Sequence, residues 1–119
     1  MEFTLNPDDT YTLKKYTGTE VNVTILNSFE GKPVTALGDG VFANRAITSI
    51  TLPDTLETIG HYAFYQSGLV SIVLPNSVEF VGKKAFYNCI QLESVTLPAR
   101  VFLANDALHS CAKVKVKIY

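Results

Sequence analysis

No apolar run in this 119-residue chain approaches the roughly 18 residues that a membrane-crossing helix requires. The N-terminal Met-Glu-Phe-Thr-Leu-Asn-Pro-Asp-Asp lacks the basic and apolar regions of a secretory signal. These absences leave two expectations, a cytoplasmic protein or a module of a longer secreted chain, and exclude direct membrane insertion through a helix. Cysteine is scarce. Cys89 and Cys111 are the only two, and no further sulfur or histidine recurs at their spacing, so a zinc site is not expected. Charged residues make up only 18% and the formal net charge is -1, which gives no reason to expect nucleic acid as a partner. No G-x-S-x-G, phosphate-binding loop or nucleophile–base spacing occurs, and the carboxylates are scattered. The chain is therefore expected to be neither an enzyme nor a carrier of a cofactor. Its 47% hydrophobic content nevertheless excludes disorder.

What the chain has instead is a repeat. Gly38, Gly60 and Gly82 stand 22 apart, as do Phe42, Phe64 and Phe86, while Pro53, Pro75 and Pro98 follow at steps of 22 and 23. Such a period is the mark of a solenoid, whose units bury their apolar faces only against their neighbours. Each unit contains a strand of the form L-x-x-I/V-x-L-P, as in Ile47–Pro53, Leu69–Pro75 and Leu92–Pro98. Proline lacks the ladder N–H and closes the strand, glycine is expected to permit the bend that follows, and the A-F segment is expected to be one helical turn.

The ends depart from the period. Residues 2–20 read as two short strands around Asn6-Pro7-Asp8-Asp9, a hairpin suited to cap the first unit. Residues 21–36 form a divergent first rung with a four-residue insertion, Glu30-Gly31-Lys32-Pro33. The last repeat is degraded, with Ala104 for glycine and Leu108 for phenylalanine, and Lys113–Tyr119 alternates as a final strand. The expected organisation is one domain, with a cap over 1–20 and about five rungs over 21–119. Residues 1–60 hold four basic and eight acidic groups, hence -4, and residues 61–119 hold six and three, hence +3. Sequence order is axial order in a solenoid, so one end is acidic and the other basic.

The consensus L-x-S-I-x-L-P-x-x-V/L-x-x-I/V-G-x-x-A-F-x-x-C resembles the BspA-type leucine-rich repeat, over about residues 10–112. The resemblance implies an α/β repeat solenoid: a right-handed leucine-rich-repeat coil with a parallel β-sheet, short helical turns and the N-terminal hairpin cap. It also implies a cell-surface or secreted setting, with a role in adhesion or host contact through a protein or glycan partner. The family's frequent cysteine at this column favours buried free thiols for Cys89 and Cys111, although stacked rungs also bring them within reach of a disulfide.

Positions one period apart form columns. Phe42, Phe64, Phe86 and Leu108 read as core. Asn44, Gln66, Asn88 and Ser110 read as a polar column whose side chains bond nearby backbone groups. His61 and His109 stand 48 apart, in different columns, and read as surface residues. Tyr65 and Tyr87, with Tyr62 nearby, read as an exposed aromatic group. The candidate ligand-binding residues are the outward positions of the strand face, which the family geometry makes concave: Ser49, Thr51, Ser71, Val73, Ser94, Thr96, Lys115 and Lys117. The alternative function is structural, a head-to-tail self-association in which the lysine-bearing last strand meets the acidic end of another copy.

Overall fold

The alternating residues of each repeat become strands with the apolar position inward. In the computed structural model, which describes residues 1–119, the chain forms twelve short strands and no helix. The strand face of the coil is built from β3 (Asn22–Thr24), β6 (Ser49–Thr51), β8 (Ser71–Val73), β10 (Ser94–Leu97) and β12 (Lys115–Ile118). A second sheet on the other side runs β1 (Glu2–Leu5), β2 (Tyr11–Lys15), β5 (Lys32–Leu37), β7 (Thr58–Ile59), β9 (Phe80–Val81) and β11 (Phe102–Leu103). Apart from the antiparallel β1–β2 pair, that path is parallel. The two sheets are staggered: the second starts two strands ahead of β3's rung, and β12 has no counterpart behind it.

Phe42, Phe64 and Phe86 are fully buried and stack face to face, with centroids 5.4 and 5.1 Å apart and planes within 7° and 5°. Tyr16 packs on the N-terminal end of this stack, tilted by 44° with its ring centroid 5.1 Å from that of Phe42. Leu37, Ile59 and Val81 line one side of the core, and Ile50, Ile72 and Val95 line the other. Leu108 is half-buried, in keeping with its place on the last rung.

The expected helical turns are absent, and backbone conformation explains why. Two columns lie in the left-handed region: Gly40, Tyr62, Lys84 and Asp106 at φ 65, 60, 53 and 58°, and Asn44, Gln66, Asn88 and Ser110 at φ 60, 54, 59 and 62°. A left-handed residue every fourth position breaks a right-handed helix. The result is a run of overlapping tight turns. Alternate N–H groups bond within the turn, as Tyr65 N does to Tyr62 O, while the ones between reach the next rung, as Phe64 N does to Ala85 O at 2.7 Å. The α component of the expected fold class is therefore replaced by hydrogen-bonded turns. The polar column of Asn44, Gln66 and Asn88 is likewise explained by φ, and no side-chain bond to backbone is formed by these three. Asparagine tolerates this region better than most residues.

Glycine at 60 and 82 serves a different need from the one expected. Neither has positive φ. A β-carbon on Gly82 would stand 2.5 Å from His61 N, and one on Gly60 would stand 2.7 Å from Asp39 N. The absent side chain lets adjacent rungs approach.

The insertion in the first rung has a purpose. Glu30 and Gly31, at φ 49 and 80°, make a two-residue turn between β4 (Ser28–Phe29) and β5, the primed geometry of tight hairpins. The turn brings Phe29 against the cap, stacked on Phe3 at 4.3 Å and edge-on to Tyr11 at 5.0 Å. Lys32 adds an exposed ion pair to Asp9 at 2.8 Å, whose hydrogen bond, and then charge, raise the lysine's pKa.

Candidate functional site

The period-two alternation of a strand turns every second side chain outward, and ladder register then aligns these into columns. Ser71, Ser94 and Lys115 are register partners, as are Val73, Thr96 and Lys117. Ser49 and Thr51 pair with Asn22 and Thr24 of β3. The structure thus brings all eight sequence-selected residues onto one face. Asn22 and Thr24 extend it and escaped the sequence reading, because the first rung is five residues longer than the 22-residue period, one more than the four-residue insertion, which sets their step to Ser49 and Thr51 at 27 residues. Asn22 is tied in by Ser49 Oγ, which donates to its Oδ1 at 2.6 Å.

The face is interrupted at one place. Val70 N donates to Thr48 O at 3.0 Å, joining the second and third rungs where their strands begin. Beyond that bond no ladder connects β6 to β8, whereas β8, β10 and β12 pair throughout. The seam opens into a shallow cavity of 420 Å³. Ser49, Thr51 and Ser71 supply hydroxyls, Val73 supplies an apolar surface that is 59% exposed, and Ile50 and Ile72 are buried. Strand N–H and C=O groups left without ladder partners need others. Hydroxyls and unpaired backbone together present donors and acceptors beside a small apolar surface. Lys115 and Lys117 place positive charge at the far end of the face. Near them the Tyr119 hydroxyl donates to Leu74 O, spanning the rim from the last rung to the third.

The remaining candidates are structural. Cys89 and Cys111 are buried free thiols that donate to Phe64 O at 3.0 Å and Phe86 O at 2.9 Å. The neighbouring Cys89 thiol, and then burial, push the Cys111 pKa above the ordinary thiol value. His61 does not simply hang in solvent: its Nδ1 accepts from Lys83 N at 2.8 Å, one rung on. Asp39 does the same for His61 N at 2.9 Å, so this column caps amides between rungs. Tyr65, Tyr87 and His109 stack at 5.6 and 5.3 Å, with Lys84 Nζ over the Tyr87 ring at 5.0 Å. Tyr65 and Tyr87 are half-buried, and Tyr62 is exposed.

Comparison with known proteins agrees with this architecture. Six copies of the BspA type leucine rich repeat region match over residues 33–118. A leucine-rich repeat protein from Bacteroides capillosus has a similar structure, with a TM-score of 0.85 at 27% identity over 98% of this chain and 92% of that one. A leucine rich cell surface protein from Faecalibacterium prausnitzii gives a TM-score of 0.77 at 29% identity, over 98% of this chain but 40% of its own. The T. pallidum leucine rich repeat protein gives 0.73 at 25% identity, over 97% and 67%. No curated protein matches by sequence. The chain belongs to the BspA-type leucine-rich repeat family.

Proposed function

We propose that the chain is a non-enzymatic binding module of a cell-surface or secreted protein, and that its strand face contacts a protein or glycan in adhesion or host contact. The seam between β6 and β8 carries the reading. It is where the face departs from a closed sheet, and it coincides with Ser49, Thr51, Ser71 and Val73. The similarity to a bacterial protein described as a cell surface protein supports the setting. Surface plasmon resonance against purified extracellular-matrix proteins and mucins tests it, with Thr51→Arg and Thr96→Arg as paired variants. Loss of a measured contact in either variant, with the fold intact by circular dichroism, supports the strand face. Retention by both places the contact elsewhere.

A second reading, head-to-tail self-association, draws support from the charge asymmetry of the coil, acidic over residues 1–60 and basic over residues 61–119, where β12 carries Lys115 and Lys117. The stagger of the sheets opposes its simplest form. Setting β3 of one copy directly against β12 of another would bring the first copy's β1 to the level already held by β11. Light scattering across protein and salt concentration separates the readings, because association steered by charge weakens as screening shortens.

A further inference from the structure

Each of the five strands of the strand face turns two side chains outward, ten in all, and their chemistry is divided along the coil. Lys115 and Lys117, both on β12, are the only charged ones. Val73 is the only apolar one, and it stands at the seam between β6 and β8. The others are hydroxyls and one amide. No carboxylate points out from this face. The ammonium groups of Lys115 and Lys117 have no partner within the chain, whose single ion pair joins Lys32 to Asp9. Where the strands begin, Glu93 and Lys113 offset each other in charge, and Lys113 Nζ is already held by Gln91 Oε1 at 3.3 Å.

Register fixes the distance between these two features. Val73 is aligned with Thr96, and Thr96 with Lys117, so two ladder steps separate the apolar surface from the charge. Two steps span about 10 Å. Three residues of an extended polyproline II segment rise about 9 Å and return the side chain to the same side. Along that path the hydroxyls of Ser94 and Thr96 can donate to or accept from peptide groups.

We propose that the strand face takes an extended acidic peptide segment of a partner protein. An aliphatic side chain of that segment enters the seam beside Val73, and two carboxylates about three residues away meet Lys115 and Lys117. Charge selects against the other partners. A neutral glycan leaves both ammonium groups without a counter-charge, and an anionic glycan sets polar hydroxyls against Val73. The proposal rests on the strand face being the contact surface, and it names the partner's chemistry.

The test is fluorescence anisotropy with labelled peptides in which a leucine stands three residues before, or three residues after, a pair of aspartates. At least one should bind saturably, and its affinity should fall as sodium chloride rises from about 0.05 to about 0.5 M. Lys115→Glu combined with Lys117→Glu should raise its Kd about tenfold or more, by setting like charges together. Serine in place of the peptide's leucine should raise it about threefold or more, through lost apolar burial. Lys14→Glu combined with Lys83→Glu, an equal charge change made away from the face, should leave it unchanged. Absence of saturable binding overturns the proposal, as does equal affinity for a peptide with asparagines in place of the aspartates. An equal loss in the Lys14 and Lys83 double variant overturns it as well. So does binding of heparin without binding of either peptide, which would indicate an anionic glycan. If no acidic peptide binds while Thr51→Arg or Thr96→Arg still abolishes a measured partner contact, this proposal fails alone. If both of those variants keep the contact, the strand-face reading fails with it.

Discussion

Phe64 stacks on Phe86 with ring centroids 5.1 Å apart and planes within 5°, and neither ring is open to solvent. Phe64 is also the middle of its column, so both of its faces are occupied. Phe64→Ala should cost about 3–5 kcal/mol in urea or guanidinium unfolding, since a cavity enclosed by two rigid neighbours cannot collapse. Leu108→Ala, at the half-buried end of the column, should cost clearly less.

Gly82→Ala should destabilise by about 1–3 kcal/mol, although alanine is a better residue in most contexts. The added carbon meets the His61 amide nitrogen at 2.5 Å, and neither rung can retreat without breaking bonds such as Gly82 N to Ile59 O at 2.8 Å. Thermal unfolding of Gly82→Ala against wild type measures the effect.

Asn88 stands at φ 59° with its N–H given to His109 O at 2.9 Å. Asn88→Gly should fall within a few tenths of a kcal/mol of wild type. Asn88→Val should lose about 1–2 kcal/mol, the cost of a left-handed backbone for an L residue with a β-branch. Equal stability of the two variants would remove the conformational explanation of this column.

Cys89 and Cys111 should react with a water-soluble disulfide reagent only after denaturant is added, because both are buried and each thiol donates to a carbonyl.

Several elements could be read from the residues. The outward columns of Ser71, Ser94 and Lys115 and of Val73, Thr96 and Lys117 follow from alternation and the repeat step, since a parallel sheet of equal rungs has little freedom in register. The hairpin around Asn6–Asp9 was legible for its turn residues. The A-F segment was misread as helical. Its apolar spacing fits one helical turn, and nothing in composition announced that Tyr62, Gln66, Lys84 and Asn88 would adopt positive φ. The first rung concealed Asn22 and Thr24 behind an insertion whose use, seating Phe29 on Phe3, appears only when the cap is in place.

The rung length, the inward residues and the polar face were written in the order of amino acids, because burial by identical neighbours imposes a period that spacing alone displays. The break between β6 and β8 and the sharing of amides between turn and next rung were decided in three dimensions. They depend on how far one coil is shifted against the next. That shift is set by many weak contacts acting together, Gly60 on Asp39 and Phe64 on Phe86 among them, and no single stretch of chain contains it.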